Sequence, residues 1–172
     1  MPQPNEDHEP WRVCYRQLAP KLLLFARQWL PTVADAEDVV QTAFVRFWRK
    51  YPEAQAEHYP LLYAAVRTAA LDLIRSNDRR NHREENFSAE RPEFAAPLFE
   101  SSSNEETELI QSALQRLPPE QRETLVLRVW GELTFAEIAT TLGESINTVA
   151  ARHRYALQSL RRILNPVAHE RV

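Results

Sequence analysis

The sequence predicts an all-α protein of two small helical domains joined by a flexible linker. Its 172 residues include only two glycines. That is too few for a phosphate-binding or dinucleotide-binding loop, or for the many tight turns of a β-sandwich or barrel. Apolar residues recur every three or four positions in stretches rich in good helix formers. This periodicity is lost between residues 78 and 104, which separates two helical halves.

Three helical patterns occupy the N-terminal half. They are predicted over residues 11–30, 34–51 and 60–77, each with one apolar face. Pro20 is expected to kink or split the first helix, because proline removes a backbone donor and crowds the preceding turn. Asp35 and Asp38 lie at the start of the second helix, where the helix dipole favours negative charge. We therefore expect a first domain over residues 11–80.

Residues 81–105 are predicted to form the linker. Eight acids and one base lie between residues 84 and 108, together with prolines and a run of serines, and such a composition buries too little apolar surface to fold by itself. Phe87, Phe94 and Phe99 are unusual in a linker and are candidates for transient docking. The polar, acidic residues 1–10 are expected to be disordered and do not resemble a signal peptide.

Four helices are predicted in the C-terminal domain, residues 106–165. They cover residues 105–117, 119–130, 135–142 and 146–164. Gly131 is expected to cap the second of them, and Thr134 with Glu137 to form a capping box on the third. Gly143 lies in the three-residue turn before the last helix. A short helix, a turn with glycine and a longer helix are typical of a helix-turn-helix.

The last helix carries polar and basic side chains of the kind that read DNA. A rigid helix with guanidinium and amide groups near its N-terminal half suits the major groove. An ordinary pair of packed helices with solvated arginines is the alternative. Four arginines and no acid between residues 152 and 162, and the small Ala139 at the helix crossing, favour DNA binding. The candidate residues are Asn147, Thr148, Arg152, Arg154 and Tyr155.

Two stretches resemble one protein family. The residues from Leu117 to Glu123, which read LPPEQRE, and the later LTFAEIA from Leu133 to Ala139 are similar to region 4 of bacterial RNA polymerase sigma factors, most closely the extracytoplasmic-function (ECF) type. The segment from Asp35 to Trp48 resembles region 2 of the same family. The matches cover about residues 13–80 and 106–164, in the order in which the family has them.

The resemblance implies contacts with core RNA polymerase along the second helix. The implied residues are Asp35, Asp38, Gln41, Phe44 and Trp48. The acids and the amide would form the polar surface, and the aromatic residues, with Phe47, would be divided between the domain core and the interface. An alternative is that all three aromatic side chains are core, and for Phe44 that alternative is favoured.

The resemblance also implies that the third helix captures the melted −10 strand. Binding a single strand needs basic groups and aromatic faces for unstacked bases. The implied residues are Tyr59, Tyr63, Arg67, Arg75, Arg79 and Arg80. The tyrosines could equally be half-buried core positions, and the alternative for Arg79 and Arg80 is a solvated charge run.

Four positions depart from the family pattern. Leu61 stands where tryptophan is usual and Thr68 where asparagine is common. Ala150 and Ala151 replace a basic residue and a serine in the last helix. These departures bear on which promoter sequence is recognised.

No set of residues in the sequence predicts catalysis, a metal site or a cofactor. The five histidines are scattered, and Cys14 is the single cysteine, which fits a reducing cytoplasm. No apolar run is long enough to cross a membrane. Together with the family resemblance, these observations predict a cytoplasmic transcription initiation factor that is not an enzyme. Its expected partners are core polymerase, double-stranded −35 DNA, single-stranded −10 DNA and an anti-sigma factor. The alternatives are a helix-turn-helix regulator without polymerase binding and a protein-binding helical adaptor.

Overall fold

The computed structural model describes residues 10–84 and 105–165, which belong to two compact units, Met1–Ala89 and Glu90–Val172. Unit 1 contains α1 (Pro10–Ala26), α2 (Val33–Lys50), a short 3-10 helix (Ala56–His58) and α3 (Tyr59–Glu84). Unit 2 contains α4 (Glu105–Gln115), α5 (Pro119–Val129), α6 (Phe135–Leu142) and α7 (Ile146–Leu164). The described residues include no strand, and the predicted all-α class is confirmed. The expected disordered N-terminus and most of the expected linker, with its three phenylalanines, lie outside the described residues.

α1 differs from its prediction at two points. The helix is continuous through Pro20, so the expected split is wrong. Its buried face anchors it on both sides of the proline, through residues such as Leu18 and Leu22. The helix also ends at Ala26 instead of Leu30. Beyond it the chain tightens into a turn, in which the Trp29 amide donates to the Ala26 carbonyl at 3.1 Å.

α3 continues seven residues past its predicted end at Asn77, so the helix includes residues 81–84 of the predicted linker. The side chains from Arg75 to His82 are exposed. A helix without a buried face shows no apolar periodicity, which is why the pattern did not predict this part. The stretch contains no glycine or proline to end it, and the Arg79 Nε donates to the Arg75 carbonyl at 3.2 Å.

Aromatic side chains tie the three helices of unit 1 together. Phe25 of α1 is fully buried and lies edge-on to Tyr63 of α3, with ring centroids 5.5 Å apart. Tyr15 of α1 meets Phe44 of α2 edge-on at 4.8 Å. Such pairs add to the stability that burial alone provides. Packing between elements thus fixes the positions of α2 and α3.

Capping groups define the helices of unit 2. The Glu137 amide donates to Thr134 Oγ1 at 3.2 Å and the Thr134 amide donates to Glu137 Oε2 at 2.7 Å, which completes the predicted capping box of α6. Gly143 adopts the left-handed conformation with φ 66°. The Ser145 side chain accepts from the Thr148 amide at 3.1 Å and caps α7. Local hydrogen bonds thus fix where α6 and α7 begin and how the turn between them closes.

The end of α5 is built differently from the expected glycine cap. Glu132, not Gly131, has the positive φ of 58°. A Cβ at Gly131 would lie 2.6 Å from the Leu127 carbonyl oxygen. Gly131 is thus required because a side chain would collide with the preceding helical turn, and the left-handed residue is its neighbour.

Candidate functional sites

One side of α2 forms the candidate polymerase surface. Asp38 and Gln41 are exposed, as predicted for its polar part. Val45 is 48% exposed although it is apolar. It follows Gln41 by four residues, so the two lie on one face of the helix. Sequence analysis missed Val45, and the same spacing could have revealed it.

Two of the residues implied for this surface have structural roles. Asp35 is half-buried, accepts the Thr32 hydroxyl at 2.7 Å and donates its amide to Thr32 Oγ1 at 3.1 Å, so it belongs to the N-cap of α2. Phe44 is only 3% exposed. This burial agrees with the core position, the alternative that the sequence favours for Phe44. Its ring stacks beneath the half-buried Trp48, with centroids 6.1 Å apart and an interplanar angle of 9°.

The two tyrosines implied for −10 binding lie on the inner side of α3. Tyr63 is 1% exposed and packs on Phe25, which agrees with the alternative of a core position. Tyr59 is half-buried, and its hydroxyl oxygen accepts the Cys14 thiol at 3.7 Å. Burial raises the pKa of Tyr59, and the hydrogen bond with Cys14 raises it further. Burial likewise raises the pKa of the Cys14 thiol.

The arginines of α3 are divided between different sides of the helix. Arg75 and Arg79 are exposed and four residues apart, so they share the outer face. Arg75 pairs with Asp72 at 3.3 Å in a highly exposed contact, which salt and solvent screen. Arg67 is half-buried, and Arg80 is exposed. The structure thus joins two of the six implied residues on one exposed face.

A groove of about 460 Å³ runs between α2 and α3. Arg46 and Lys50 of α2 contribute two cationic groups and Asp72 of α3 one acid. Leu61 and Thr68 of α3 line it together with several alanines. Leu61 is 40% exposed. The Thr68 hydroxyl donates to the Ala64 carbonyl at 2.9 Å, so its oxygen can only accept from a ligand. Both departures from the family pattern in α3 therefore face one groove.

α7 presents a polar face opposite its buried residues Val149 and Ala156. Asn147 and Arg154 are exposed, and their spacing of seven residues puts them on the same side of the helix. Tyr155 is 49% exposed, and the Arg154 guanidinium lies 5.2 Å from the centre of its ring. This face can offer an amide, a guanidinium and an aromatic edge to a base pair.

Arg152 lies to one side of that face. Its Nη2 donates to Glu144 Oε1 at 2.9 Å. Arg152 is a candidate DNA-reading residue from the sequence, and the helical pattern did not predict this ion pair. Thr148 is half-buried, and its hydroxyl lies 2.8 Å from that of Ser145.

A second cluster beside α7 consists of one cationic side chain and two aromatic rings. The Arg128 guanidinium lies 5.3 Å from the centre of the Phe135 ring, and its Nη1 donates to the Leu133 carbonyl at 2.9 Å. His153 meets Phe135 edge-on at 5.2 Å. Burial lowers the pKa of His153, and the charge of Arg128 lowers it further.

Across residues 10–84 and 105–165, no group of three His, Cys, Asp or Glu side chains could hold a metal ion. His58 accepts the Gln55 amide at 3.2 Å in the cap of the 3-10 helix. Of the helices described, none has the length and apolar character needed to cross a membrane.

Family models match both units. The model of sigma-70 region 2 matches residues 14–80, and the model of sigma-70 region 4 matches residues 113–162. Region 2 thus falls in unit 1 and region 4 in unit 2. The region 4 match includes α6 and all but the last two residues of α7.

Curated relatives carry names of the same kind. The chain is 30% identical over 141 residues to the "RNA polymerase sigma-E factor" of Streptomyces coelicolor, which covers 81% of this chain and 77% of that protein. It is 25% identical over 135 residues to the "ECF RNA polymerase sigma factor SigK" of Mycobacterium tuberculosis, covering 76% of this chain and 72% of the relative.

Solved structures share the fold. The sigma factor RpoE of Bartonella quintana, in complex with the anti-sigma factor NepR, aligns with a TM-score of 0.70 at 21% identity and covers 91% of this chain and 97% of that one. CnrH in complex with the cytosolic domain of CnrY aligns with a TM-score of 0.62 at 21% identity, covering 91% and 88%.

Proposed function

The chain belongs to the ECF sigma factors, which are transcription initiation factors and not enzymes, and from this premise we propose how its two units divide the work. Unit 1 binds core RNA polymerase and the melted −10 strand, and unit 2 reads the double-stranded −35 element. The protein acts in the cytoplasm, where polymerase and promoters meet. The observation that carries this division is that regions 2 and 4 each fall on one compact unit, in the family's order.

For polymerase binding we propose the exposed side of α2. Asp38, Gln41 and Val45 supply an acid, an amide and an apolar contact, and Trp48 supplies an aromatic edge backed by Phe44. Interface hot spots combine an aromatic anchor with surrounding groups that exclude water. Asp35 contributes by fixing the start of the helix.

For the −10 strand we propose the α2–α3 groove together with the outer arginines of α3. Arg46 and Lys50 of the groove attract a phosphate backbone, and Arg75 and Arg79 extend that attraction along the outer face. A base in the groove meets the apolar Leu61 and the acceptor oxygen of Thr68. The two departures from the family pattern then alter the preferred −10 base while strand binding is retained.

For the −35 element we propose that α7 enters the major groove. Asn147, Arg154 and Tyr155 lie on its exposed face and read base edges. Thr148 and Arg152 lie beside that face, and Arg152 is held there by its ion pair with Glu144. Ala150 and Ala151 add no hydrogen bond, so a thymine methyl is their natural neighbour.

An anti-sigma factor is proposed as a further partner. RpoE of Bartonella quintana is described in complex with the anti-sigma factor NepR. In unit 2 of the present chain, Leu109 is 54% and Ile110 is 42% exposed on α4. Exposed apolar residues of this kind suit a protein partner.

Reconstitution with core polymerase tests the function directly. The full chain is mixed with core enzyme, promoters are selected from a random library, and transcription is measured. Initiation without another sigma factor is expected. A regulator would need a second sigma factor, and an adaptor would only block transcription.

The polymerase surface is tested by the double variant Asp38→Arg/Gln41→Ala. It should weaken core binding about tenfold or more, because both side chains are exposed and central to the proposed interface. Glu53→Arg makes the same charge change at an exposed loop position and serves as the matched control. Equal core affinity of the double variant and the parent would put the interface elsewhere.

A further inference from the structure

The turn of the helix-turn-helix carries an acid that holds a basic residue of α7. Glu144 and Arg152 are eight residues apart, and Oε1 and Nη2 are separated by 2.9 Å. The Arg152 side chain is only 25% exposed and that of Glu144 is 36% exposed. Solvent therefore screens this pair less than the Arg75–Asp72 pair on α3, where the two side chains are 70% and 64% exposed.

The backbone around Glu144 is fixed. Its amide donates to the Ala139 carbonyl at 3.0 Å, directly after the left-handed Gly143. The next residue, Ser145, is the N-cap of α7. Because hydrogen bonds hold both sides of Glu144, its carboxylate has a defined position relative to α7.

This position has an electrostatic consequence for DNA. An arginine beside a face that reads the major groove ordinarily neutralises a DNA phosphate. Each such contact strengthens binding to every DNA sequence and makes the affinity depend more steeply on salt concentration. The Glu144 carboxylate already occupies one N–H edge of Arg152, and its own charge repels a phosphate. Within residues 10–84 and 105–165 no acid pairs with Arg154, whose guanidinium lies 5.2 Å from the centre of the Tyr155 ring.

We propose that Glu144 limits the affinity of α7 for DNA by holding Arg152 away from the phosphate backbone. The inference rests on the proposed role of α7 at the −35 element. Glu144 thereby keeps sequence-independent binding low and leaves recognition to the exposed face with Asn147 and Arg154.

Affinity measurements with the reconstituted holoenzyme test this role. The probes are a promoter selected from a random −35 library and copies with single −35 bases changed. Glu144→Ala should raise the affinity for all probes alike, by about threefold at low salt, and steepen the salt slope by about one unit. Glu144→Gln, which keeps an acceptor but loses the charge, should give a smaller gain.

A double-mutant cycle identifies Arg152 as the residue that is released. In the parent, Arg152→Ala should change affinity less than about twofold, because Glu144 already offsets its charge. In the Glu144→Ala background the same change should cancel the gain. Glu120→Ala removes an exposed carboxylate from the start of α5 and controls for net charge. Thermal unfolding of Glu144→Ala should match the parent, since a partly exposed pair adds little stability.

Two results would overturn the inference. One is an affinity for DNA that is unchanged or lower in Glu144→Ala. The other is a loss in parental Arg152→Ala as large as the expected gain. The variant Arg154→Ala distinguishes a failure of this inference from a failure of the proposed function of α7. If it relaxes preference at one −35 base while Glu144→Ala has no effect, only the inference fails. If neither Arg154→Ala nor Glu144→Ala changes DNA binding, α7 is not the reading helix.

Discussion

Unit 1 and unit 2 are both small helical bundles with buried cores, but local turn and cap geometry is more prominent in unit 2. In unit 1 rings from α1, α2 and α3 meet in the core, and α1 runs through a proline without interruption. In unit 2 a capping box, a left-handed glycine and a serine cap define where α6 ends and α7 begins. Both described residues with positive φ, Glu132 and Gly143, belong to unit 2. A packed core thus supports the proposed polymerase surface, whereas turn geometry sets the proposed DNA-reading helix.

The largest expected effect is the unfolding of unit 1 while unit 2 stays folded. Phe25→Ala removes a fully buried ring that contacts Trp29 and Tyr63, and should cost about 3–5 kcal/mol. In a two-dimensional amide NMR spectrum of the full chain, signals from α1–α3 should collapse while those from α4–α7 persist. Val45→Ala, at an exposed position of the same unit, should leave both sets intact. Collapse of both sets with Phe25→Ala would show that the units are not independent.

A smaller effect is the loss of stability of unit 2 when its turn glycines are substituted. Gly131→Ala places a Cβ 2.6 Å from a backbone oxygen and should cost about 1–3 kcal/mol. Gly143→Ala is the matched control, because its Cβ meets open space and only the left-handed backbone is strained, at about 1 kcal/mol. Urea titration followed on amide signals of each unit measures both. The idea that turn geometry governs unit 2 fails if Gly131→Ala leaves its urea midpoint unchanged.

The smallest expected effect is a pH dependence of stability that is confined to unit 2. The pKa of His153 is lowered in the folded state by burial and by Arg128. As the pH falls through the ordinary histidine pKa of 6.5, His153 is protonated in the unfolded chain before it is protonated in the folded one. Protonation therefore favours the unfolded chain, and the free energy of unfolding of unit 2 decreases. Unit 2 should become less stable between about pH 7.5 and about pH 5.5, and His153→Gln should reduce that loss. An identical pH dependence in parent and variant would remove His153 as its source.

The same contrast explains which elements could be predicted from sequence. α6 and α7 begin and end at the predicted residues, because threonine, glycine and serine signals lie in the chain itself. The end of α1 at Ala26 and the extension of α3 to Glu84 could not be predicted in that way. The first depends on packing between helices, and the second has no apolar face to reveal it.

The candidate sites also contain features that the sequence could predict and contacts that it could not. The resemblance implied a polar surface at Asp38 and Gln41, and both side chains are exposed on α2. It could not show that Tyr63 lies against Phe25 or that Glu144 pairs with Arg152. Those contacts join residues on different elements, so they follow from how helices cross and how a turn closes.

The burial of α5 has a consequence for how unit 2 opens. Six consecutive residues, Arg122 to Leu127, are buried, so the middle of this helix is enclosed on every side. Amide protons there can exchange with solvent only when the whole unit unfolds, whereas those of the exposed first turn of α4 exchange through local fraying. The slowest-exchanging amides of α5 would thus measure the global stability of unit 2 within the intact chain.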